Sequence, residues 1–558
     1  MTKMDERQII DGELFLKMVT GGVVNLQENL ETVNDLNVFP IPDGDTGENM
    51  YLTLQGGFDR IREVESESIG DKAQAMAKGM LVGARGNSGV ILSQLFFGLS
   101  EGLRGLAVAT LQEFALALEQ GVKRAYGAVA HPVEGTILTV AREAIENARQ
   151  NLSQETSVES FFFNFLQEMK KSLERTPNLL AVLKESGVID SGGAGLVYIT
   201  EGFCKALGGE DVEKELALAS VGQKKVELDF SKFDENSVME FGYCTELLLR
   251  LQNSKCNPNE FSVENLIAFL ESVGDSVVAF QTDTIVKIHV HTMEPYKVLE
   301  HCQKYGEYLT VKIENMTLQH NETSEKKSDA IKKPQRARRK YALVTVVSGK
   351  GLIDVFKELG ADYVISGGQT NNPSSEDFVQ AFDEVNADYV YVLPNNGNVI
   401  LAAKQAAGIY DKSEIRVVES KTIGDGYAAL SMLDYAADDP DEIEELLKEN
   451  MAGTTTAMVA RSVRSTTLNG VEVVKDQYMG FTDHVMHVCK PTKVEAACAL
   501  LEKLAVKNNE FVILSYGKTP TAAEKAVLRG FMEDYCPNVE VYEVEGGQDV
   551  YDFLFIVQ

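Results

Sequence analysis

Tryptophan is absent from this chain, and basic residues are scarce. Lys and Arg number 53 against 84 Asp and Glu, a formal charge of −31 over 558 residues. So acidic a surface repels phosphate backbones and anionic headgroups, which excludes nucleic acid as an expected partner. Any phosphate the protein handles then needs local compensation, from a divalent cation or from clustered backbone N–H groups. The seven cysteines (204, 244, 256, 302, 489, 498 and 536) are odd in number and form no CxxC pair, so no disulfide framework is indicated. Apolar runs of the ~20 residues needed to span a membrane are missing. Met1-Thr2-Lys3-Met4-Asp5-Glu6 also lacks the apolar core of a secretory leader, so a cytoplasmic protein is expected.

What is present divides into three domains and a linker. Residues 1–210 read as successive helices, near 8–32, 47–65, 70–84, 88–105, 110–128, 135–151, 157–174 and 192–207, each with apolar residues at three- and four-residue spacing. Residues 225–316 switch to the order β-α-β-β-α-β, with strands at 240–252, 275–281, 284–291 and 307–314. Residues 317–340 are polar, charged and without apolar periodicity, a flexible linker. From 341 to 558, β-rich runs at Tyr341–Val347, Tyr363–Ser366, Tyr389–Leu393, Ile415–Glu419 and Phe511–Tyr516 alternate with helical segments, which predicts a doubly wound α/β layer.

The unusual sequences sit on the connections between the N-terminal helices. In Asn37-Val38-Phe39-Pro40-Ile41-Pro42-Asp43-Gly44-Asp45-Thr46-Gly47-Glu48-Asn49 the prolines and glycines forbid a regular element, and two carboxylates flank a glycine just before a helix. Asp43 and Asp45 can aim at one Mg²⁺, with Thr46 as N-cap; a solvated acidic turn followed by a capped helix remains open on spacing alone. Gly83-Ala84-Arg85-Gly86-Asn87-Ser88-Gly89 runs small residues into a helix N-terminus, which suits either phosphate or close helix packing. No Walker lysine follows. Two further loops, around Gly135-Thr136 and Asp190-Ser191-Gly192, repeat the style.

In that order, Asp43-Gly-Asp45-Thr46-Gly-x-Asn49, Gly86-Asn87-Ser88-Gly89, Gly135-Thr136 and Asp190-x-Gly192 resemble the nucleotide-binding domain of the dihydroxyacetone kinase superfamily, over about residues 8–207. The resemblance implies an antiparallel eight-helix barrel that binds ATP, with Asp43 and Asp45 as catalytic Mg²⁺ ligands. Thr46, Asn49, Gly86, Asn87, Ser88 and Gly89 would line the phosphates, with Thr136 and Asp190 near the nucleotide. Those kinases carry another aspartate where this chain has Val38; Asn37 beside it is the candidate third ligand, offering a neutral oxygen.

In the middle region, β-α-β-β-α-β topology makes the first and third strands antiparallel neighbours. Cys244 near the start of one then lies beside His289 and His291 at the end of the other. A thiolate and two imidazoles so placed would suit Zn²⁺; a buried thiol beside two strand-end histidines is the alternative. Phe241-Gly-Tyr-Cys244-Thr-Glu246, Val286-Lys-Ile-His289-Val-His291-Thr292 and Lys312-Ile-Glu-Asn-Met316 are similar to the ferredoxin-like dimerisation domain in the middle of the bacterial fatty acid kinase catalytic chain. Further on, small polar turns follow several strands: Ser366 to Ser374, Pro394-Asn-Asn-Gly-Asn398 and Glu545 to Asp549. Their order resembles the DegV-like lipid-binding fold, but Pro394 to Asn398 lacks the hydroxyls that hold a fatty carboxylate, which implies a docking or regulatory domain.

Together the resemblances imply the cytoplasmic, ATP-binding component of a fatty acid kinase. With ATP and Mg²⁺ it would phosphorylate the carboxylate of a fatty acid carried by a separate DegV-type binding protein, giving acyl phosphate. It would form a homodimer through its middle domain, with Zn²⁺ there. The other readings are a kinase of a small hydroxylated metabolite and a non-catalytic nucleotide-binding scaffold. A fatty carboxylate is ionised at pH 7 and needs no general base, in keeping with a helical region whose one histidine is His131.

Overall fold

The computed structural model describes residues 8–38, 44–153, 156–209, 243–257, 261–282, 284–315, 338–368, 371–431, 433, 439–483 and 485–558. It divides into two units. One joins Met1–Gly222 with Arg336–Gln558, and the other is Gln223–Gln335. Among the described residues no helix is long and apolar enough to cross a membrane.

The N-terminal part of the first unit contains α1 (Gly12–Glu28), α2 (Leu30–Asn34), α3 (Thr46–Arg62), α4 (Ile69–Gly83), α5 (Gly86–Gly102), α6 (Leu111–Ala128), α7 (Ile137–Gln150), α8 (Val158–Leu179), α9 (Ala181–Ser186) and α10 (Ser191–Leu207). Two-residue strands β1 (Ile9–Ile10) and β2 (Ala109–Thr110) pair across it. The eight long helices pack as a ring in the order α1, α3, α4, α5, α6, α7, α8, α10, and α10 returns to α1. That last seam is closed by glycine. A Cβ on Gly202 would overlap the carbonyl oxygen of Gly21, so the two backbones touch. Starts are set by caps: Asp11 accepts from Leu14 N at 2.8 Å, Thr110 and Glu113 form a reciprocal capping box, and Asp190 accepts from Gly193 N at 2.7 Å. Phe15, Phe114, Phe162 and Phe203 fill the centre in edge-to-face contacts.

Two boundaries differ from the periodicity. The first predicted helix begins at Gly12 rather than residue 8 and breaks at Asn29. α8 runs through Pro177 to Leu179 instead of stopping near 174. Proline removes the N–H that would reach Leu173 O, and the Thr176 hydroxyl donates to that oxygen in its place at 2.7 Å.

The C-terminal part is built on two sheets, which corrects the single doubly wound layer read from the sequence. Four parallel strands, β7 (Arg339–Val347), β8 (Tyr363–Ser366), β9 (Ala387–Leu393) and β10 (Glu414–Val417), lie in the order β10-β9-β7-β8. Phe511–Tyr516 belongs elsewhere. It pairs antiparallel with the C-terminal strand Phe553–Val557 in a six-stranded sheet that also contains Thr455–Arg461, Tyr478–Thr482, Val485–Lys490 and Glu540–Val544. From Thr455 to Lys490 the chain returns through antiparallel hairpins, and a helical crossover recurs at Ala522–Tyr535, between the parallel strands Phe511–Tyr516 and Glu540–Val544. One hairpin is marked by Asn469-Gly470, both at positive φ, the geometry a two-residue hairpin turn requires. Arg338 and Arg339, assigned to the linker, bond to Asp388 and Asp362 at the start of the parallel sheet.

Helical and C-terminal parts share a core. Ala84 and Val90, on either side of the Gly86 loop, are buried with Phe378, Phe382 and Ala402 of the helices beside the parallel sheet.

In the second unit, strands β3 (Tyr243–Leu251), β4 (Asp275–Thr282), β5 (Ile285–Thr292) and β6 (Gly306–Asn315) alternate with helices Val263–Val273 and Pro295–Cys302. The third strand lies between the second and the first, and the fourth is on the first strand's other side, all neighbours antiparallel. Leu247, Leu249, Val286, Ile288 and Leu270 form its core.

Candidate functional site

Between the helical loops and the parallel sheet lies a cavity of about 680 Å³. From the helical side Asn37, Asp45, Thr46, Asn49, Asn87 and Ser88 line it. From the other side come Ser348, Gly367, Gly368, Asn395, Asn396, Asn398 and Lys421, with Leu352, Met458, Phe481 and Leu554 deeper in. No histidine is on its wall among the described residues.

Asp45 precedes α3 as its N-cap residue and is 8% exposed. Its carboxylate accepts from Asn372 Nδ2 of the C-terminal part and is also bonded by Asn49. Burial nevertheless pushes its pKa from the ordinary 3.8 up to about 7, partly offset by the Asn49 bond and reinforced by neighbouring Glu48. Thr46 Oγ1 donates to Asn37 Oδ1 at 2.6 Å, and Ser191 Oγ reaches Thr46 Oγ1 at 3.4 Å. Asp43, the other predicted carboxylate, lies outside the described residues.

The Gly86 loop abuts α3. Gly86 has φ +57, and a Cβ there would run into the Asn49 amide. Thr53 ties the two together, accepting from Arg85 N at 3.2 Å and donating to Asn49 O at 2.6 Å. At Gly89 a Cβ would meet Thr53 Oγ1, so this glycine lets α5 close on α3. Asn87 and Ser88 face the cavity, and Asn87 Oδ1 is buried without a hydrogen-bond partner among the described residues.

Thr136 and Asp190 are not on the cavity wall. The Thr136 hydroxyl donates to Val133 O at 2.8 Å. The Asp190 carboxylate takes N–H groups of Gly193 and Ile137, joining the starts of α10 and α7, and burial raises its pKa to about 6. It supports the wall indirectly, since a Cβ on the nearby Gly192 would lie 3.4 Å from Ser88 Oγ.

The C-terminal part holds these loops by residues the sequence reading did not single out. Arg464 donates to the carbonyl oxygens of Asp35, Asn37 and Val38, the last at 2.9 Å. Arg85 Nη1 donates to Asn372 O at 2.8 Å, and Ser375 N to Ala84 O at 3.2 Å. Asn87 Nδ2 reaches Asn398 Oδ1 at 3.4 Å.

The donors at the Asp45 end are a carboxylate, hydroxyls and amide oxygens, a hard set that suits Mg²⁺. The Asp45 carboxylate is bonded by neutral amides and lines the same cavity as Asn87, whose Oδ1 has no hydrogen-bond partner among the described residues, and a cation can satisfy either oxygen.

In the second unit, backbone register sets Cys244 opposite His291 and Glu246 opposite His289. On its other side His291 is paired with Asp275. Directly paired residues share a sheet face, so the positions of Cys244, His291 and His289 are on one face.

Three family models match the chain: a DAK2 domain over residues 40–205, the FakA-like middle domain of fatty acid kinase over 240–323, and the FakA-like C-terminal domain over 342–558. Protein YloV of Bacillus subtilis is 39% identical over 554 residues, covering 98% of both chains. An uncharacterized protein of Staphylococcus epidermidis is 38% identical over 556 residues, 98% of this chain and 99% of its own. Among solved structures, DegV, a fatty acid binding protein from Bacillus subtilis, aligns with 39% of this chain and all of its own length at 13% identity and a TM-score of 0.30. The Fatty Acid Kinase (Fak) B3 protein of Streptococcus pneumoniae, loaded with linoleic acid, aligns with 39% of this chain and 99% of its own at 11% identity and 0.27.

Proposed function

The chain belongs to the FakA-like family of fatty acid kinase proteins, and on that premise we propose that it transfers the γ-phosphoryl group of ATP to the carboxylate of a fatty acid held by a separate DegV-type binding protein, giving acyl phosphate. The observation that carries this reading is the convergence of Asp45, Thr46, Asn49, Asn87 and Ser88, from the starts of α3 and α5, on one cavity.

Asp45 would hold Mg²⁺ with Asp43, and Asn37 is the candidate third ligand. Bound there, the ion would neutralise charge on the transferred group. Thr46 and Ser88 hydroxyls and the N–H groups at the start of α5, from Gly86 to Gly89, orient the phosphates along the helix dipole. Thr136 and Asp190 act from behind the wall by fixing the starts of α7 and α10. No residue has to remove a proton from an ionised carboxylate, so positioning and charge stabilisation do the chemistry.

We further read the helical ring as an antiparallel eight-helix barrel and the second unit as a ferredoxin-like domain that forms the homodimer. Cys244, His289 and His291 would hold Zn²⁺ there. The site of action would be the cytoplasm.

Incubation with ATP, Mg²⁺ and a lipid-loaded binding protein, followed by hydroxylamine, tests the reaction. A fatty hydroxamate should form and should be lost in Asp43→Ala and Asp45→Ala. Hydroxamate absent with every loaded partner, while ATP still binds, would instead favour a scaffold. Phosphorylation of a small hydroxylated metabolite would favour the metabolite kinase.

A further inference from the structure

Every strand of the parallel sheet delivers its C-terminal end to the cavity: Ser348 after β7, Gly367 and Gly368 after β8, Asn395 to Asn398 after β9, Lys421 and Thr422 after β10. The chain places β8 on one side of β7 and β9 on the other, so strand order reverses between β7 and β9. Such a reversal opens a crevice where open α/β sheets take ligands. Asn395 stands across it at φ +55, its Nδ2 donating to Thr345 Oγ1 at 2.8 Å and Val346 O at 3.0 Å while its Oδ1 accepts from Ser420 Oγ at 2.8 Å. The turn is therefore rigid.

The next residue presents an amide donor to the cavity. Asn396 is 6% exposed, and its Oδ1 accepts from Asn398 N at 2.8 Å, which orients the amide. Its Nδ2 is buried on the cavity wall with no hydrogen-bond partner among the described residues. Unsatisfied buried donors are costly and usually mark a bound group. Lys421, from the adjacent strand end, is the one cationic side chain on the wall among the described residues. On the opposite wall stand Asp45 and the Asn87 loop.

We propose that Asn396 Nδ2 and Lys421 Nζ contact the terminal phosphoryl oxygens of the bound nucleotide, so that the C-terminal domain supplies half of the phosphate site within the same chain. This rests on the phosphoryl-transfer reading above. Lys421 then provides from a distant domain the charge that a Walker lysine provides next to its own loop. Asn396 adds a charge-assisted hydrogen bond of fixed direction.

The test is equilibrium binding of Mg·ATP and of AMP to full-length wild type, Asn396→Ala, Asn396→Asp, Lys421→Met and Asp45→Asn. Loss of one hydrogen bond to a charged group weakens binding about ten- to hundredfold, so Asn396→Ala and Lys421→Met should lose that much for Mg·ATP and nothing for AMP. Asn396→Asp, which faces phosphate with a carboxylate, should lose more. Should Asn396→Asp melt early, Asn396→Ser moves the donor with less disturbance and is read the same way. Unchanged Mg·ATP affinity in the Asn396 and Lys421 variants, with Asp45→Asn weakened, overturns this inference alone. Equal losses for ATP and AMP overturn it too, because they report general damage to the wall. Wild type that binds no Mg·ATP overturns the phosphoryl-transfer reading and this inference with it.

Discussion

Replacing Asp45 with asparagine should make the metal-free protein more stable at neutral pH, and the gain should depend on pH in a way the burial dictates. In the folded state the Asp45 pKa is about 7 against an ordinary 3.8, so the folded chain keeps a proton that the unfolded chain releases. A raised carboxyl pKa therefore costs stability as pH climbs, beginning near 4 and complete a little above 7. The full cost is about 4 kcal/mol. At pH 5 linkage leaves roughly 1.5 kcal/mol of it, so the advantage of Asp45→Asn should grow by about 2.5 kcal/mol between pH 5 and pH 8. The substituted side chain keeps an oxygen for Asn372 Nδ2 but no second acceptor for Asn49, a loss independent of pH that cancels from the difference between the two pH values. Urea unfolding followed by far-UV circular dichroism at the two pH values, on wild type and variant, reads the difference directly. Adding Mg²⁺ at pH 8 should then stabilise wild type by mass action and leave the variant nearly unmoved. Equal effects of the substitution at pH 5 and pH 8, or Mg²⁺ stabilisation that survives it, would refute the picture of a buried carboxylate waiting for a cation.

Three further perturbations have definite expectations. Arg464→Ala removes donors to three carbonyls of one loop, so hydrogen exchange at residues 35–38 should accelerate and Mg²⁺ affinity should fall about tenfold, in line with one or two lost charge-assisted bonds. Gly202→Ala puts a methyl into the Gly21 carbonyl at the α1/α10 seam and should cost about 3 kcal/mol or more, read as a lower melting temperature, because both backbones must separate. Cys244→Ser should lower the zinc content of purified protein, measured by elemental analysis, if Cys244, paired with His291 in register, is a ligand; unchanged metal content would leave the trio a structural pairing.

Much of the first wall is readable from the sequence. Helix positions follow from a local 3.6-residue period, and the segment predicted over 47–65 forms at Thr46–Arg62 because its apolar face, Met50, Leu54, Phe58 and Ile61, is buried along one side. Asn87 and Ser88 are legible because small residues before a helix advertise free N–H groups. Errors arise where the deciding signal is short or distant. Leu468-Asn469-Gly470-Val471 is a hairpin signature of a small two-stranded sheet, and reading it shows where the alternation of parallel strand and helix stops. Thr136 and Asp190 occupy the N-cap positions of α7 and α10, whereas Thr46, expected as a cap, is the first residue of α3 after Asp45, and only packing tells a helix-start residue behind the wall from one on it.

The second wall is not legible for a deeper reason. Asn87 and Asn398 meet across 311 residues, and nothing in either loop encodes the meeting. It depends on Ala84 and Val90 sharing a core with Phe378 and Phe382, which brings the Gly86 loop to the carboxyl ends of β8 and β9. Each wall alone has unfinished polar groups: a buried Asp45 carboxylate bonded by neutral amides on one, and Asn396 Nδ2 without a hydrogen-bond partner among the described residues on the other. A divalent cation and an anionic phosphate between them would satisfy both at once, since the cation meets the carboxylate and the phosphate oxygens meet the amide.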